Sequence, residues 1–142
     1  MAGQYVIDAN ATLGLFLRLP YSQKAEQWMK NRQAEEAKLV VPTLWEYECL
    51  SGLRRAETLG QISPEQTEWL FEKLFVLEIQ RVEPTIELHR AALHWAEKIG
   101  QAKVYDAQYL ALAESLPAEF WTADKRLFHK AQELGLKWVY EI

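Results

Sequence analysis

Five short strand-like runs, each set off from the next by one or two helix-like segments, leave this chain few ways to fold. Tyr5-Val6-Ile7, Leu39-Val40-Val41, Phe120-Trp121-Thr122 and Trp138-Val139-Tyr140 have the length and apolar character of strands, and Glu78 to Val82 alternates as a strand can. Between them the spacing turns helical. Ala9 to Leu17 is broken at Pro20, and a segment capped by Ser22 runs through Trp28 and Met29 to about Ala37. Pro42 stops the second strand, and the helix Leu44 to Leu59 that follows meets Gly60 as its terminator. Ser63-Pro64-Glu65-Gln66 supplies an N-cap, a first-turn proline and a capping-box glutamine for a helix ending near Phe75. Thr85 to Ile99 stops at Gly100, Val104 to Leu116 follows, and Lys125 to Leu134 ends at Gly135. Apolar strands alternating with helices call for a parallel sheet covered on both faces. The predicted fold class is therefore α/β, with a central, mostly parallel sheet of about five strands flanked by helices on both faces. No linker, repeat or low-complexity stretch interrupts it, so residues 1–142 are expected to form one domain.

The chain has 142 residues, 49% of them hydrophobic and 25% charged, which is the make-up of a soluble globule and not of a disordered tail. No apolar run approaches the roughly 20 residues that cross a bilayer. The opening Met-Ala-Gly-Gln-Tyr-Val-Ile-Asp lacks the basic and apolar regions of a secretory signal. The single cysteine, Cys49, excludes an internal disulfide and a cysteine-based zinc cluster, and reads as a small buried residue. A cytoplasmic protein with no membrane partner is the expectation. The net charge of −4 runs against the basic surplus usual in nucleic-acid binders, unless the acids gather in one place and bind metal.

The acids support that exception. Of twenty acidic residues only three are Asp: Asp8, Asp106 and Asp124. Glutamate suits solvated helix faces, whereas the shorter Asp suits caps, turns and metal ligation. Asp8 directly follows the first strand and Asp124 stands just past the fourth. Ligands in open α/β sheets bind beyond the carboxyl ends of the strands. Helix capping accounts for Asp8 and Asp124 equally well. Asp106 opens a helix and projects beside Leu110 and Ala113, where an unpaired carboxylate is costly. On the helix after the second strand, Glu46 and Glu48 lie on opposite flanks of the apolar arc, and geometry alone does not choose between them. Carboxylates that converge would repel one another. A hard divalent ion such as Mg²⁺ or Mn²⁺ suits such a set, and phosphodiester hydrolysis is chemistry it supports.

Four segments resemble the PIN-domain family, and its VapC-type toxins in particular. Val6-Ile7-Asp8-Ala9-Asn10 is similar to the strand that delivers the family's first metal-site Asp. Val41-Pro42-Thr43-Leu44-Trp45-Glu46-Tyr47-Glu48, continuing through Cys49 to Leu53-Arg54-Arg55, resembles the second segment. There the acid stands six residues before the first Arg, a register that selects Glu48. Tyr105-Asp106-Ala107-Gln108-Tyr109-Leu110-Ala111-Leu112-Ala113-Glu114 is the nearest likeness, and Trp121-Thr122-Ala123-Asp124-Lys125-Arg126-Leu127 resembles the fourth segment. The segments occur in family order and span nearly the whole chain. Many relatives carry a small hydroxyl residue ahead of the third Asp, where this chain has Ala102-Lys103-Val104.

The resemblance implies a single PIN-like domain and a Mg²⁺-dependent endoribonuclease, the toxin of a toxin–antitoxin pair. Such a toxin is usually a homodimer neutralised by a small antitoxin protein. Asp8, Glu48, Asp106 and Asp124 would hold the metal, directly or through water, with Asn10 and Thr122 as supporting or phosphate contacts. A water activated by the metal would displace the 3′-oxygen and leave a 5′-phosphate. Arg54, Arg55, Lys103, Lys125 and Arg126 flank these acids in sequence and are candidates for holding RNA phosphates, although solvated helix faces carry such cations routinely. Trp28, Trp69 and Trp95 sit within amphipathic helices as core or dimer-interface anchors. His89, His94 and His129 show no spacing tied to the acids, which disfavours histidine-based ribonuclease chemistry. A haloacid-dehalogenase-type phosphatase would need Asp-x-Asp after the first strand, and position 10 is Asn. A PIN-like module that binds RNA or protein without cutting is the alternative from a different class, and a stand-alone PIN nuclease of RNA processing is the alternative to a toxin.

Overall fold

The computed structural model describes residues 3–142. In chain order these residues form β1 (Gln4–Ile7), α1 (Ala9–Leu13), α2 (Ser22–Ala34), β2 (Lys38–Pro42), α3 (Leu44–Thr58) and α4 (Pro64–Phe75). There follow β3 (Ile79–Val82), α5 (Ile86–Ile99), α6 (Tyr105–Ser115), β4 (Glu119–Thr122), α7 (Lys125–Glu133) and β5 (Val139–Glu141). The strands make one sheet in the order β3-β2-β1-β4-β5, and every pairing is parallel. The expected α/β architecture is the one observed, and its sheet is parallel throughout.

Side-chain contacts show why the strands have no polar face. Val6 is in register with Val40 and Phe120, and the Phe120 ring stacks on Tyr109 of α6, so that helix covers this face. Ile7 is in register with Trp121 on the opposite face, where Trp28 of α2 packs against both Trp121 and Tyr5. Val6, Ile7, Val40, Val41 and Phe120 are all buried. Strands sandwiched in this way read as continuous apolar runs. Helix α6 lies deepest, with Ala107 and every residue from Tyr109 to Ala113 buried.

The local departures from expectation have local causes. Helix α1 stops at Leu13, four residues before the expected Leu17, and its end is tightened by bonds from Gly14 N–H to Asn10 and Ala11. Ser22 is the first residue of α2 and not its cap: its hydroxyl donates to the Leu17 carbonyl (2.8 Å) and accepts from the Leu19 N–H (2.9 Å). The side chain closes the preceding loop and is unavailable to the helix. The Ser63 capping box is fully formed, and Gly100 takes the left-handed conformation (φ 70°) that ends α5. Trp28 and Trp95 are buried as expected of core residues, whereas Trp69 is 59% exposed on α4 and belongs to no core.

Because the sheet is all parallel, the carboxyl ends of its strands share one edge. The chain leaves β1 toward one neighbour and β4 lies on the other side, which makes the β1/β4 junction a topological switch point. Asp8 and Asp124 follow those two strands.

Candidate active site

At the end of β1, Asp8 caps α1: its Oδ1 accepts from the Ala11 N–H (2.8 Å). Its Oδ2 accepts a hydrogen bond from the Thr122 hydroxyl at the end of β4. Thr122 is fully buried, and its oxygen also accepts from the Asp124 N–H (2.9 Å), so one hydroxyl fixes both Asp residues. A second relay anchors the backbone. Thr12 donates to the Asp8 carbonyl (2.9 Å) and accepts from the Trp45 indole N–H of α3 (2.9 Å). Tyr21 donates to the Asn10 carbonyl (2.7 Å), which holds α1 from its outer side. The Asn10 side chain itself is exposed at the rim of the site.

Helix α3 presents Leu44, Glu48, Ser51, Gly52 and Arg55 toward α1, a stripe at the helical spacing of three and four residues. Gly52 allows the close approach: a Cβ there would stand 2.2 Å from Leu13 Cδ1. Glu48 accepts from the hydroxyl of buried Tyr109 (2.7 Å). Glu46, its rival in sequence, turns the other way and pairs with Arg81 of β3 (3.0 Å). The two glutamates are thus separated by a cation 35 residues further along the chain, which helical geometry gives no means to foresee.

Asp106, half-buried in the first turn of α6, accepts from the Gln101 carboxamide (2.8 Å). Gln101 directly follows the left-handed Gly100, and the turn there brings its carboxamide onto Asp106. Neither Gln101 nor Tyr109 stands out from sequence as a site residue. Tyr109 had a signal, since it lies three residues after Asp106 on the same helix face. Asp124 caps α7 through Oδ1, which accepts from the N–H groups of Arg126 (2.9 Å) and Leu127 (3.2 Å).

Asp8, Glu48 and Asp106 line one cleft of about 500 Å³, with Asn10, Arg55, Tyr47 and Tyr105 around them. Asp124 does not line the cleft, although its charge acts on Asp106. The three lining acids are all pushed above the usual carboxyl range, in each case mainly by burial. Asp8 reaches about 7; the Thr122 hydroxyl and the Ala11 and Ala123 N–H groups oppose the rise, and the Asp106 charge adds to it. Glu48 is raised by burial and by Asp106, against the Tyr109 bond. Asp106 is raised by burial and by Asp124, against the Gln101 bond. Such a set binds protons or a cation readily. Among the described residues, no three His, Cys, Asp or Glu come close enough to grip one ion together. The cleft's anionic donors are carboxylate oxygens, which suit a hard divalent cation that keeps part of its water shell. Of the expected cations, only Arg55 lines the cleft. Lys103, Lys125 and Arg126 are exposed near its acids in sequence, and the Arg54 guanidinium is engaged with Glu57.

Comparison with known proteins places this geometry in context. A family model described as the PIN domain matches residues 5–134. The protein called Ribonuclease VapC3 of Pyrobaculum aerophilum is 30% identical over 126 residues, covering 88% of this chain and 92% of its own. A crystal structure from the same organism superposes with a TM-score of 0.69 at 27% identity, covering 99% of this chain and 85% of that one. A toxin–antitoxin complex from Klebsiella pneumoniae contains a chain of the same fold, with a TM-score of 0.64, 18% identity and coverage of 97% and 99%.

Proposed function

This chain belongs to the PIN-domain family, and on that premise we propose that it is a Mg²⁺-dependent endoribonuclease, the toxin of a toxin–antitoxin pair. The observation that carries the reading is the convergence of Asp8, Glu48 and Asp106 on one cleft at the carboxyl edge of the sheet. Their shared upward shift gives the cleft a standing demand for positive charge. The relative named as a ribonuclease supports the choice of RNA.

Asp8, Glu48, Asp106 and Asp124 would hold Mg²⁺, or Mn²⁺ in its place, directly or through water. When bound, the ion neutralises charge on the phosphoryl group and makes water a better nucleophile. The chain's own residues set the frame for that chemistry. Thr122 fixes the Asp8 carboxylate, Tyr109 fixes Glu48 and Gln101 fixes Asp106, so little reorganisation is left for the reaction. Asn10 and Arg55 face the cleft and are placed to meet a phosphate, with Lys103, Lys125, Arg126 and Arg54 as outer cations that would offset the local charge of the cleft's acids. The working unit in this reading is one domain over residues 1–142, a homodimer in the cytoplasm, neutralised by a small antitoxin. No helix among the described residues is long and apolar enough to cross a membrane.

The test is cleavage of total RNA with Mg²⁺, with Mn²⁺ and with chelator, comparing wild type with Asp8→Asn and Asp106→Asn. Metal-dependent cutting, lost in both variants, is expected. Cutting that survives both substitutions removes the site assignment. No cutting of any RNA offered leaves a PIN-fold binding module instead.

A further inference from the structure

Beside the carboxylate cleft lies a second hollow of about 360 Å³, within the roughly 300–1,000 Å³ of small-ligand sites. It opens past the ends of β2 and β3, between the beginnings of α3, α5 and α6. Leu44, Tyr47 and Tyr105 line both hollows, so they form the wall between them. The chemistry changes across that wall. One side carries three carboxylates; the other is mainly apolar, with Gln108 and His89 as a polar pair.

Two features of the second hollow point to a ligand. Tyr47 and Tyr105 are 69% and 51% exposed, so their rings stand at the boundary and serve no core. Gln108 Nε2 and His89 Nδ1 lie 3.1 Å apart. With the carboxamide donating to Nδ1, the ring proton sits on Nε2. The pair then offers one acceptor, Gln108 Oε1, and two donors, the second Gln108 Nε2–H and His89 Nε2–H. A ligand that fits has flat apolar faces, an edge with both donor and acceptor, and a link to an anion held in the next cleft. A nucleotide within a single strand has all three.

We propose that this hollow is a nucleobase subsite that takes the unpaired base next to the phosphodiester held in the carboxylate cleft. Tyr47 and Tyr105 supply the stacking surface, and Gln108 and His89 meet the base edge. Single-stranded RNA is commonly bound by such stacking, with sequence read at the base edge. The assignment rests on the nuclease reading of the neighbouring cleft.

The experiment measures binding of a short single-stranded RNA to the Asp8→Asn chain, with each base in turn replaced by an abasic ribose. Loss of one particular base is expected to weaken binding by roughly 5- to 150-fold, the range for one stacked base. Tyr47→Leu or Tyr105→Leu should reproduce that loss on intact RNA and add nothing on the RNA abasic at that position. The Phe variants, which keep the ring, should bind like the parent. End mapping with Gln108→Leu in an otherwise wild-type chain should show a relaxed nucleotide preference beside the cut. Equal tolerance of abasic sites at every position overturns the proposal, as does a Tyr→Leu penalty that persists on the abasic RNA. A change of mass in light scattering on Tyr105→Leu also overturns it, in favour of a protein-facing surface. Failure of wild type to cut RNA rejects the nuclease reading alone, because the abasic series requires no cutting and still decides the subsite.

Discussion

Replacing Asp8 by Asn should stabilise the metal-free protein, and the gain should grow as pH rises. Asp8 is 7% exposed, and its carboxyl is raised from 3.8 to about 7, chiefly by burial. A carboxyl raised on folding favours the folded state only while it is protonated. Its unfavourable contribution therefore begins above the unfolded value near 3.8, grows through the interval and levels off above about 7. A rise of that size corresponds to about 4 kcal/mol in total, somewhat more than half of which falls between pH 5 and pH 8. Asn is the appropriate probe because its side-chain oxygen still accepts from the Ala11 N–H and so keeps the α1 cap. The cost of rearranging the Thr122 hydroxyl is nearly independent of pH and cancels in the comparison. The assay is urea unfolding of wild type and Asp8→Asn in chelator at pH 5, 6, 7 and 8. The stability difference should move in favour of Asn by about 2 to 3 kcal/mol across that series. Divalent metal should then stabilise wild type more than the variant. A difference that stays constant from pH 5 to pH 8 refutes the claim that Asp8 is held against its preferred protonation state.

Two further substitutions separate neighbouring roles. Tyr109→Phe removes the hydroxyl that bonds Glu48 while keeping the ring stacked on Phe120; the half-saturating metal concentration in RNA cleavage should rise roughly 10- to 100-fold, the usual scale for losing a ligand's supporting bond. Glu48→Gln should abolish metal-dependent cleavage, whereas Glu46→Gln should leave it intact and cost under about 1 kcal/mol in urea unfolding, as befits a partly exposed pair with Arg81.

Most of the fold is legible in the sequence because its signals are local. The capping box at Ser63, the stop at Gly100 and the apolar strand Val6-Ile7 each act within a few residues, and each appears where expected. Ser22 and Trp69 depart from expectation for a shared reason. A hydroxyl that suits a cap serves a loop just as well, and an aromatic residue on an amphipathic helix is buried only if another element covers it. The same divide runs through the site. The position of Asp8 at the cleft is legible from a strand end and that of Asp106 from its place among apolar neighbours, whereas Asp124, read in the same way as Asp8, does not line the cleft. Choosing Glu48 over Glu46 needs a family register, because the discriminating partners are distant: Arg81 holds one and Tyr109 the other. Gln101 is invisible because the chain turns at Gly100 and brings the carboxamide back onto Asp106, a geometry no periodicity encodes.

Capping and cleft lining, which compete as explanations of Asp8 and Asp124 in the sequence, coincide in the structure for Asp8, whereas Asp124 caps α7 without lining the cleft. A carboxylate has two oxygens. In each residue Oδ1 caps the following helix, while Oδ2 is held by Thr122 in Asp8 and accepts no hydrogen bond from the described residues in Asp124. Helix α1 has only five residues, too few to be stable alone. It persists because the Asp8 cap, the Thr12–Trp45 relay and the contact of Leu13 with Gly52 tie it to β1 and α3. The cap therefore does more than end a strand. It turns the chain so that the remaining carboxylate oxygen meets Thr122 of β4, in a residue that lines the cleft with the other acids. Burial that raises the Asp8 pKa and the cap that builds α1 are consequences of one backbone turn, so removing the charge and removing the turn are different experiments. Asp8→Asn removes the charge and keeps the cap, with the Thr122 hydroxyl turned to suit the amide. Asp8→Ala also removes the cap, and any extra loss of stability in Ala over Asn measures how far the helix depends on the residue that serves the site.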